Sequence, residues 1–97
     1  MYKQLKEKIE KSRYGRPRIA NNTWARFKER GGMIEVILHE SVIVEVSPND
    51  EFWIYSDGYR TDVTKRRINE FSPAGVFQKN HEWYLRDGRP FEEGVMV

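Results

Sequence analysis

The chain contains no cysteine and only two histidines, and it has no apolar run long enough to span a bilayer. The missing cysteine excludes disulfide bonds and thiolate metal sites. His39 and His81 are far apart in sequence, and neither lies in a metal-ligand or nucleophile motif. The start, Met1 to Lys6, lacks the apolar segment of a secretion signal. These absences predict a soluble cytoplasmic protein that is not an enzyme and uses no metal, cofactor or small-molecule substrate.

The longest apolar stretch runs from Met33 to Val46 and is broken only at residues 39–41. Its apolar side chains alternate and most of them are β-branched, a pattern typical of strands. We therefore predict an antiparallel hairpin, Met33–Leu38 and Ser41–Val46, at the centre of a sheet. Because Ile37 and Ile43 make the second face partly apolar, both faces should be covered.

The remaining patterns predict a single small domain of the α+β class, with an antiparallel sheet of about five or six strands, an N-terminal helix and one short helix near 63–71. We divide the chain into a basic N-terminal helix or arm, 1–18, and a β-rich domain, 19–97. Deleting 1–18 should leave the sheet folded, because the strand pattern begins at about Thr23. Before the central hairpin we expect a helix over 2–12 with an apolar stripe of Tyr2, Leu5 and Ile9, an extended basic linker over 13–18, and a strand over 23–28 closed by a turn at Arg30-Gly31-Gly32. After the hairpin we expect a strand over 52–55, a turn at 56–58 with positive φ at Gly58, and a helix over 63–71 capped by Thr61 or Asp62. The chain should end with a hairpin of 76–78 and 83–85 that turns at Asn80-His81, and with a tail over 95–97 packed back on the sheet.

Charge is distributed unevenly along the chain. Residues 1–30 carry ten Lys or Arg and three Glu, whereas residues 31–97 carry seven Lys or Arg and twelve Asp or Glu. A basic segment before a mildly acidic body predicts a polyanionic or acidic partner for that segment. The alternative is that the segment lies on the acidic body of its own domain.

Several short segments in order resemble a family of small uncharacterised proteins and domains of tailed bacteriophages. The segments are Ala20-Asn21-Asn22-Thr23, Val36-Ile37-Leu38-His39, Gly58-Tyr59-Arg60-Thr61, Thr64-Lys65-Arg66-Arg67-Ile68-Asn69, Phe77-Gln78-Lys79 and Trp83-Tyr84. The resemblance covers about residues 18–97 and departs at Tyr59, where the family often has tryptophan, and at Asp62-Val63. It implies a phage origin, hence the host cytoplasm, and a β-rich fold. It implies no reaction or ligand, and it leaves the N-terminal helix outside the family pattern.

Two basic clusters are candidates for contact with nucleic acid. Gly15-Arg16-Pro17-Arg18 resembles the core of an AT-hook, in which an extended backbone places arginine in a narrow A·T-rich minor groove. The alternative is a basic loop leading into the first strand. The second cluster is on the short helix, where Ile68 and Phe71 face the core, so Lys65 and Arg66 point largely outward. Arg67 and Arg60 can equally pair with nearby Asp62, Asp57 or Glu70 or meet phosphate. The candidate nucleic-acid-binding residues are Lys11, Arg13, Arg16, Arg18, Lys65 and Arg66.

Aromatic residues make up 13% of the chain, more than a small core can place at its centre. We select Trp24, Trp53 and Tyr59 as candidate partner-binding residues, because exposed aromatic rings stack on bases or form protein interface hot spots. Two functions follow. The first is a small phage protein that binds nucleic acid, with DNA as partner, through its basic arm. The second is a phage interaction protein that inhibits or redirects a host protein, for example a defence nuclease or a polymerase.

Overall fold

The computed structural model describes residues 1–29 and 32–97 and has the predicted α+β fold. A sheet of six antiparallel strands has the order β1-β2-β3-β4-β5-β8, and β6 and β7 form a separate two-stranded sheet. In chain order the elements are α1 (Tyr2–Lys11), β1 (Arg18–Ala20), β2 (Thr23–Phe27), β3 (Ile34–Leu38), β4 (Ser41–Val46), β5 (Phe52–Ile54), α2 (Asp62–Phe71), β6 (Phe77–Lys79), β7 (Glu82–Tyr84) and β8 (Val95–Met96).

The β3–β4 hairpin lies at the centre of the large sheet, as its apolar pattern predicts. Every residue of β3 is buried, and so are the last four residues of β4. Strand pairing places Ile34 opposite Val46 and Val36 opposite Val44, and these side chains belong to the main core. An irregularity in β4 follows this pair and shifts the register before Ile37 meets Val42.

Helix α1 packs on the main core through the apolar stripe that its sequence predicts. Tyr2, Leu5 and Ile9 are all buried in that core. The Tyr2 hydroxyl donates to the carbonyl of Gly32 at 2.7 Å, and the Tyr2 backbone N–H donates to Oδ1 of Asp50 at 2.8 Å. The basic N-terminal segment therefore begins with a helix that is docked on its own domain.

Helix α2 begins and ends where its local chemistry predicts. The Thr61 hydroxyl accepts a hydrogen bond from the Thr64 backbone N–H at 3.2 Å, so Thr61 is the N-cap. The helix ends at Phe71, two residues before Pro73, which disfavours helical backbone in the residue preceding it. Asn69 then binds the chain that follows, because its amide side chain both donates to and accepts from the backbone of Val76.

The C-terminal third confirms the predicted hairpin and tail. Asn80 and His81 both have positive φ, 53° and 66°, which is the conformation of a two-residue turn between twisted antiparallel strands. The tail forms β8, in which Val95 pairs with Ile54 of β5. Glu93 stabilises this arrangement because its carboxylate accepts from the Ser56 backbone, the Ser56 hydroxyl and the Asp57 backbone.

The structure corrects three local expectations. Strand β1 was not predicted, because a three-residue edge strand leaves no period to detect. The segment 13–18 is not extended throughout, since Gly15 has a φ of 67° and the chain turns there. At the end of a strand, the sequence leads us to expect a half-buried His39, but this residue is exposed in the β3–β4 turn with a φ of 57°. The turn predicted at Arg30-Gly31-Gly32 falls on residues 30 and 31, which lie outside the described residues.

The confirmed positive φ of Gly58, 79°, predicts a backbone cost for any β-branched residue at this position. A Cβ atom built on Gly58 meets no atom within 4 Å, so the cost comes from the backbone alone. We expect Gly58→Val to lower the free energy of unfolding by about 1–3 kcal/mol. Chemical denaturation measures the change, and an unchanged midpoint would show that the turn does not require glycine.

The buried stripe of α1 predicts that removing this helix destabilises the domain, contrary to the expectation that the sheet folds without residues 1–18. Leu5→Ala should lower the free energy of unfolding by about 2–5 kcal/mol through lost burial and a residual cavity. Lys6→Ala, at an exposed position of the same helix, is the matched control and should change it by less than about 0.5 kcal/mol. If both variants unfold at the same denaturant concentration, the helix does not contribute to the core.

Candidate nucleic-acid interface

An open groove of about 1270 Å³ brings together residues from four separate parts of the chain. It combines basic, aromatic and amide side chains. Three arginines and one glutamate line it, so its charge is positive with histidine neutral. The lining residues are Tyr14, Arg16, Asn21, Asn22, Trp24, Leu38, His39, Glu40, Ser41, Ile43, Ser56, Tyr59, Thr61, Val63, Thr64, Arg66 and Arg67.

Arg16 reaches the groove because the chain turns after α1. The Gly15 backbone N–H donates to the carbonyl of Ser12 at 3.4 Å, and the carbonyl of Pro17 accepts from the Ala25 backbone at 3.1 Å. These bonds hold the segment against β2. The Arg16 guanidinium carbon lies 5.5 Å from the centroid of the half-buried Trp24 ring, within the range of a cation–π contact.

Helix α2 supplies the other two arginines of the groove. Arg66 is exposed, whereas Arg67 donates to the Thr23 hydroxyl at 3.2 Å and forms an ion pair with Glu70 at 3.3 Å. Arg67 is thus committed to bonds within the protein. Within the described part of the chain, neither Arg16 nor Arg66 has a carboxylate partner.

Tyr59 is held at the groove by a short, hydrogen-bonded turn. Its backbone N–H donates to the carbonyl of Ser56, and its own carbonyl accepts from the backbone of Thr61, both at 2.9 Å. The tyrosine side chain is nevertheless 63% exposed. Tyr14 also lines the groove and is 83% exposed. Two aromatic rings therefore face solvent at the groove, and a local turn fixes the backbone of one of them, Tyr59.

Four of the residues that the sequence selects, Arg16, Trp24, Tyr59 and Arg66, line this one groove, and the other five do not. Arg13 lies over the Tyr14 ring, Arg18 donates to Asn21, and Lys65 is paired with Asp62. Lys11 is exposed at the end of α1, and Trp53 is half-buried in β5.

Sequence reasoning did not select Tyr14, Asn21, Asn22, His39 or Arg67 as site residues. Tyr14 is adjacent to the selected basic segment, and that position was the available signal. Nothing in the sequence joins His39, in the β3–β4 turn, to Asn22, in the turn between β1 and β2. Its backbone N–H donates to the carbonyl of Asn22 at 2.8 Å, and only the β2–β3 pairing creates that proximity.

A second polar cluster lies at the sheet, outside the groove lining. Glu45 is buried and accepts hydrogen bonds from Lys28, at 2.8 Å, and from the Tyr55 hydroxyl. Burial acts to raise the pKa of Glu45, but the bonds from Lys28 and Tyr55 outweigh it and the pKa is lowered. The pKa of Lys28 is raised by its bond to Glu45. Burial, together with the adjacent Glu45 carboxylate, raises the pKa of Tyr55 to about 12.

The comparison with known proteins identifies the class and the family of this chain. The chain is a small α+β phage protein, as the resemblance noted above predicts. It belongs to the family described as Kyanoviridae Gp96 protein, a cyanophage family, whose model matches residues 1–97. The match includes α1, which the noted resemblance left outside the family pattern. No curated protein and no solved structure matches the chain.

Two further findings limit the kinds of site that the described residues form. Across residues 1–29 and 32–97, no group of three or more histidine, aspartate or glutamate side chains is arranged to hold a metal ion. Neither described helix is long and apolar enough to cross a membrane.

The raised pKa of Tyr55 predicts a loss of stability in alkaline solution. The folded-state pKa, about 12, exceeds the ordinary value of 10.0, so the contribution of the neutral hydroxyl is complete below pH 10 and is lost as the pH rises towards 12. Tyr55→Phe should therefore be less stable than the wild type at neutral pH, by on the order of 1 kcal/mol because the site is near solvent.

The difference in the free energy of unfolding between the wild type and Tyr55→Phe should become smaller between pH 10 and 12, as measured by urea unfolding across that range. Tyr59→Phe, at an exposed tyrosine, serves as the control and should follow the wild type at every pH. If the difference in the free energy of unfolding between Tyr55→Phe and the wild type does not change with pH, the raised pKa of Tyr55 is contradicted.

Proposed function

We propose that this phage protein binds nucleic acid through the groove lined by Arg16, Trp24, Tyr59 and Arg66, in the cytoplasm of the host. The observation that carries the proposal is that residues from distant segments of the chain line the same groove. Arg16, from the N-terminal segment, and Arg66, from α2, line one groove that also holds exposed aromatic rings. In this proposal the protein is a binding protein without a catalytic role.

Charge is the first support. Each arginine that meets a phosphate releases condensed counterions, and this release supplies most of the sequence-independent affinity for nucleic acid. Arg16 and Arg66 can make such contacts without first breaking an ion pair within the described residues. Arginine also presents a planar set of N–H donors that matches the geometry of phosphate oxygens.

The N-terminal segment participates differently from a free arm. Its helix is docked, so Arg16 is carried to the groove by the turn at Gly15. The left-handed backbone at Gly15 and the contact of Arg16 with Trp24 differ from the extended conformation of an AT-hook. Lys11, Arg13 and Arg18 are exposed beside this turn and would add to the positive field around the groove.

A protein partner is the second candidate, in which the phage protein inhibits or redirects a host factor. Its support is a different surface. Trp53 is half-buried and pairs in register with Met96, which is 46% exposed at the sheet edge. Exposed apolar side chains at a sheet edge can form the contact with a partner protein. This surface does not include the groove, so the two candidates can be separated by mutation.

Arg66→Gln tests nucleic-acid binding with little risk to folding, because Arg66 is exposed. The variant should bind a labelled oligonucleotide several-fold more weakly at low salt. Its log–log salt dependence should be shallower by about 0.7 to 0.9, the loss of one phosphate contact. Fluorescence anisotropy over about 50–200 mM salt measures both quantities.

Arg86→Gln is the matched control, because Arg86 is an exposed arginine that does not line the groove. It should retain the affinity and salt dependence of the wild type. A wild-type protein without salt-sensitive binding at low ionic strength would contradict the proposal and favour the protein partner. Equal effects of the two substitutions would show that net charge, rather than the groove, determines binding.

A further inference from the structure

We infer that the groove is selective for single-stranded nucleic acid and that Tyr14 and Tyr59 are the faces on which unpaired bases stack. This inference rests on the proposed function, because it specifies the form of nucleic acid that the groove accepts. It is carried by the placement of the aromatic rings and by the concave shape of the lined surface.

The exposure of the two tyrosine rings is the first argument. Tyr14 and Tyr59 are 83% and 63% exposed, so burial in this domain does not explain their presence in the groove. Tyr59 is also preorganised, because its backbone is fixed by the hydrogen bonds to Ser56 and Thr61. Because the backbone of Tyr59 is already ordered, less conformational entropy is lost when a base stacks on its exposed ring, and such stacking is independent of sequence.

The Arg16–Trp24 contact is the second argument. A guanidinium 5.5 Å from the centroid of the indole ring is held in the groove while its N–H groups remain able to donate. Single-strand binders combine such cations, which follow the phosphates, with aromatic rings, which receive the bases. The groove contains both kinds of side chain within one lining.

A duplex fits this arrangement poorly. Its bases are already stacked on one another, so they cannot reach the rings of Tyr14 and Tyr59 without being unstacked, at a cost of a few kcal/mol. Proteins that read duplex DNA directly insert a convex helix or β-ribbon into the major groove. Here the arginine and aromatic side chains line a concavity. Its volume of about 1270 Å³ exceeds the roughly 300–1,000 Å³ of sites for one small ligand and suits a chain of several nucleotides.

The direct test compares a labelled oligo(dT) with a hairpin duplex that carries the same number of phosphates, at the same salt concentration. We expect the wild type to bind oligo(dT) at least about tenfold more tightly than the duplex, the ratio that corresponds to one stacked base. A comparison of oligo(U) with oligo(dU), which differ only in the 2′-hydroxyl, shows whether RNA or DNA is the preferred strand.

The residue-level test is Tyr59→Ala, which should weaken oligo(dT) binding about tenfold and leave duplex binding nearly unchanged. Tyr59→Phe keeps the ring and should restore the affinity. Phe77→Ala is the control, because Phe77 is 42% exposed but does not line the groove. It should bind oligo(dT) as the wild type does.

The outcomes separate this inference from the proposed function. The single-strand inference is overturned if the wild type binds oligo(dT) and the duplex with equal affinity and Tyr59→Ala does not change binding to oligo(dT). If Arg66→Gln still weakens binding in that case, nucleic-acid binding by the groove stands. Binding of neither probe overturns both proposals. If Tyr59→Ala and Tyr59→Phe weaken binding equally, the Tyr59 hydroxyl rather than its ring contacts the oligonucleotide, and the stacking inference is also overturned.

Discussion

The structure depends on covering both faces of the β3–β4 hairpin. One face is apolar and packs in the main core with α1 and α2. Strand pairing then places Glu35 opposite Glu45, and both are buried. Like charges opposite each other are destabilising, and the cations beside them offset this repulsion. Arg26 meets Glu35 at 3.0 Å, and Lys28 and Tyr55 both bond to Glu45. The long side chains of these partners cover the second face with their aliphatic and aromatic parts.

Much of the fold could be predicted because its signals are local. The alternation in 33–46 specifies two strands, the stripe of Tyr2, Leu5 and Ile9 specifies a docked helix face, and Pro73 limits α2. What could not be predicted depends on pairing between distant segments. Strand β1 exists because its backbone pairs with β2, and a three-residue strand has too few side chains to show a period. Likewise, the position of β8 beside β5 is fixed by backbone bonds and by Glu93, which the sequence does not relate to Ser56.

The groove was only partly predictable for a related reason. Charge and aromatic character allowed each of Arg16, Trp24, Tyr59 and Arg66 to be selected separately. The sequence did not show that they line the same groove, because that proximity requires the complete sheet and α2. Arg67 illustrates the limit. The sequence leaves open whether Arg67 pairs with a nearby carboxylate or meets phosphate; the fold pairs it with Glu70 and also brings it to Thr23, a residue 44 positions away. The same fold leaves Arg66 exposed, one position away on the helix. Local sequence predicts that Arg66 points outward, but it does not reveal the contact of Arg67 with the distant Thr23.

Docking of α1 links the stability of the core to the position of the groove. Because the buried stripe ends at Ile9, the helix ends near Ser12, and the chain has few residues in which to return to the sheet. Gly15 permits that return, since its positive φ is costly for other residues. The next residue, Arg16, is then placed over Trp24, while Pro17 binds the backbone of Ala25. The family match across residues 1–97 includes both the helix and the turn, which is consistent with one unit that builds the core and the groove together.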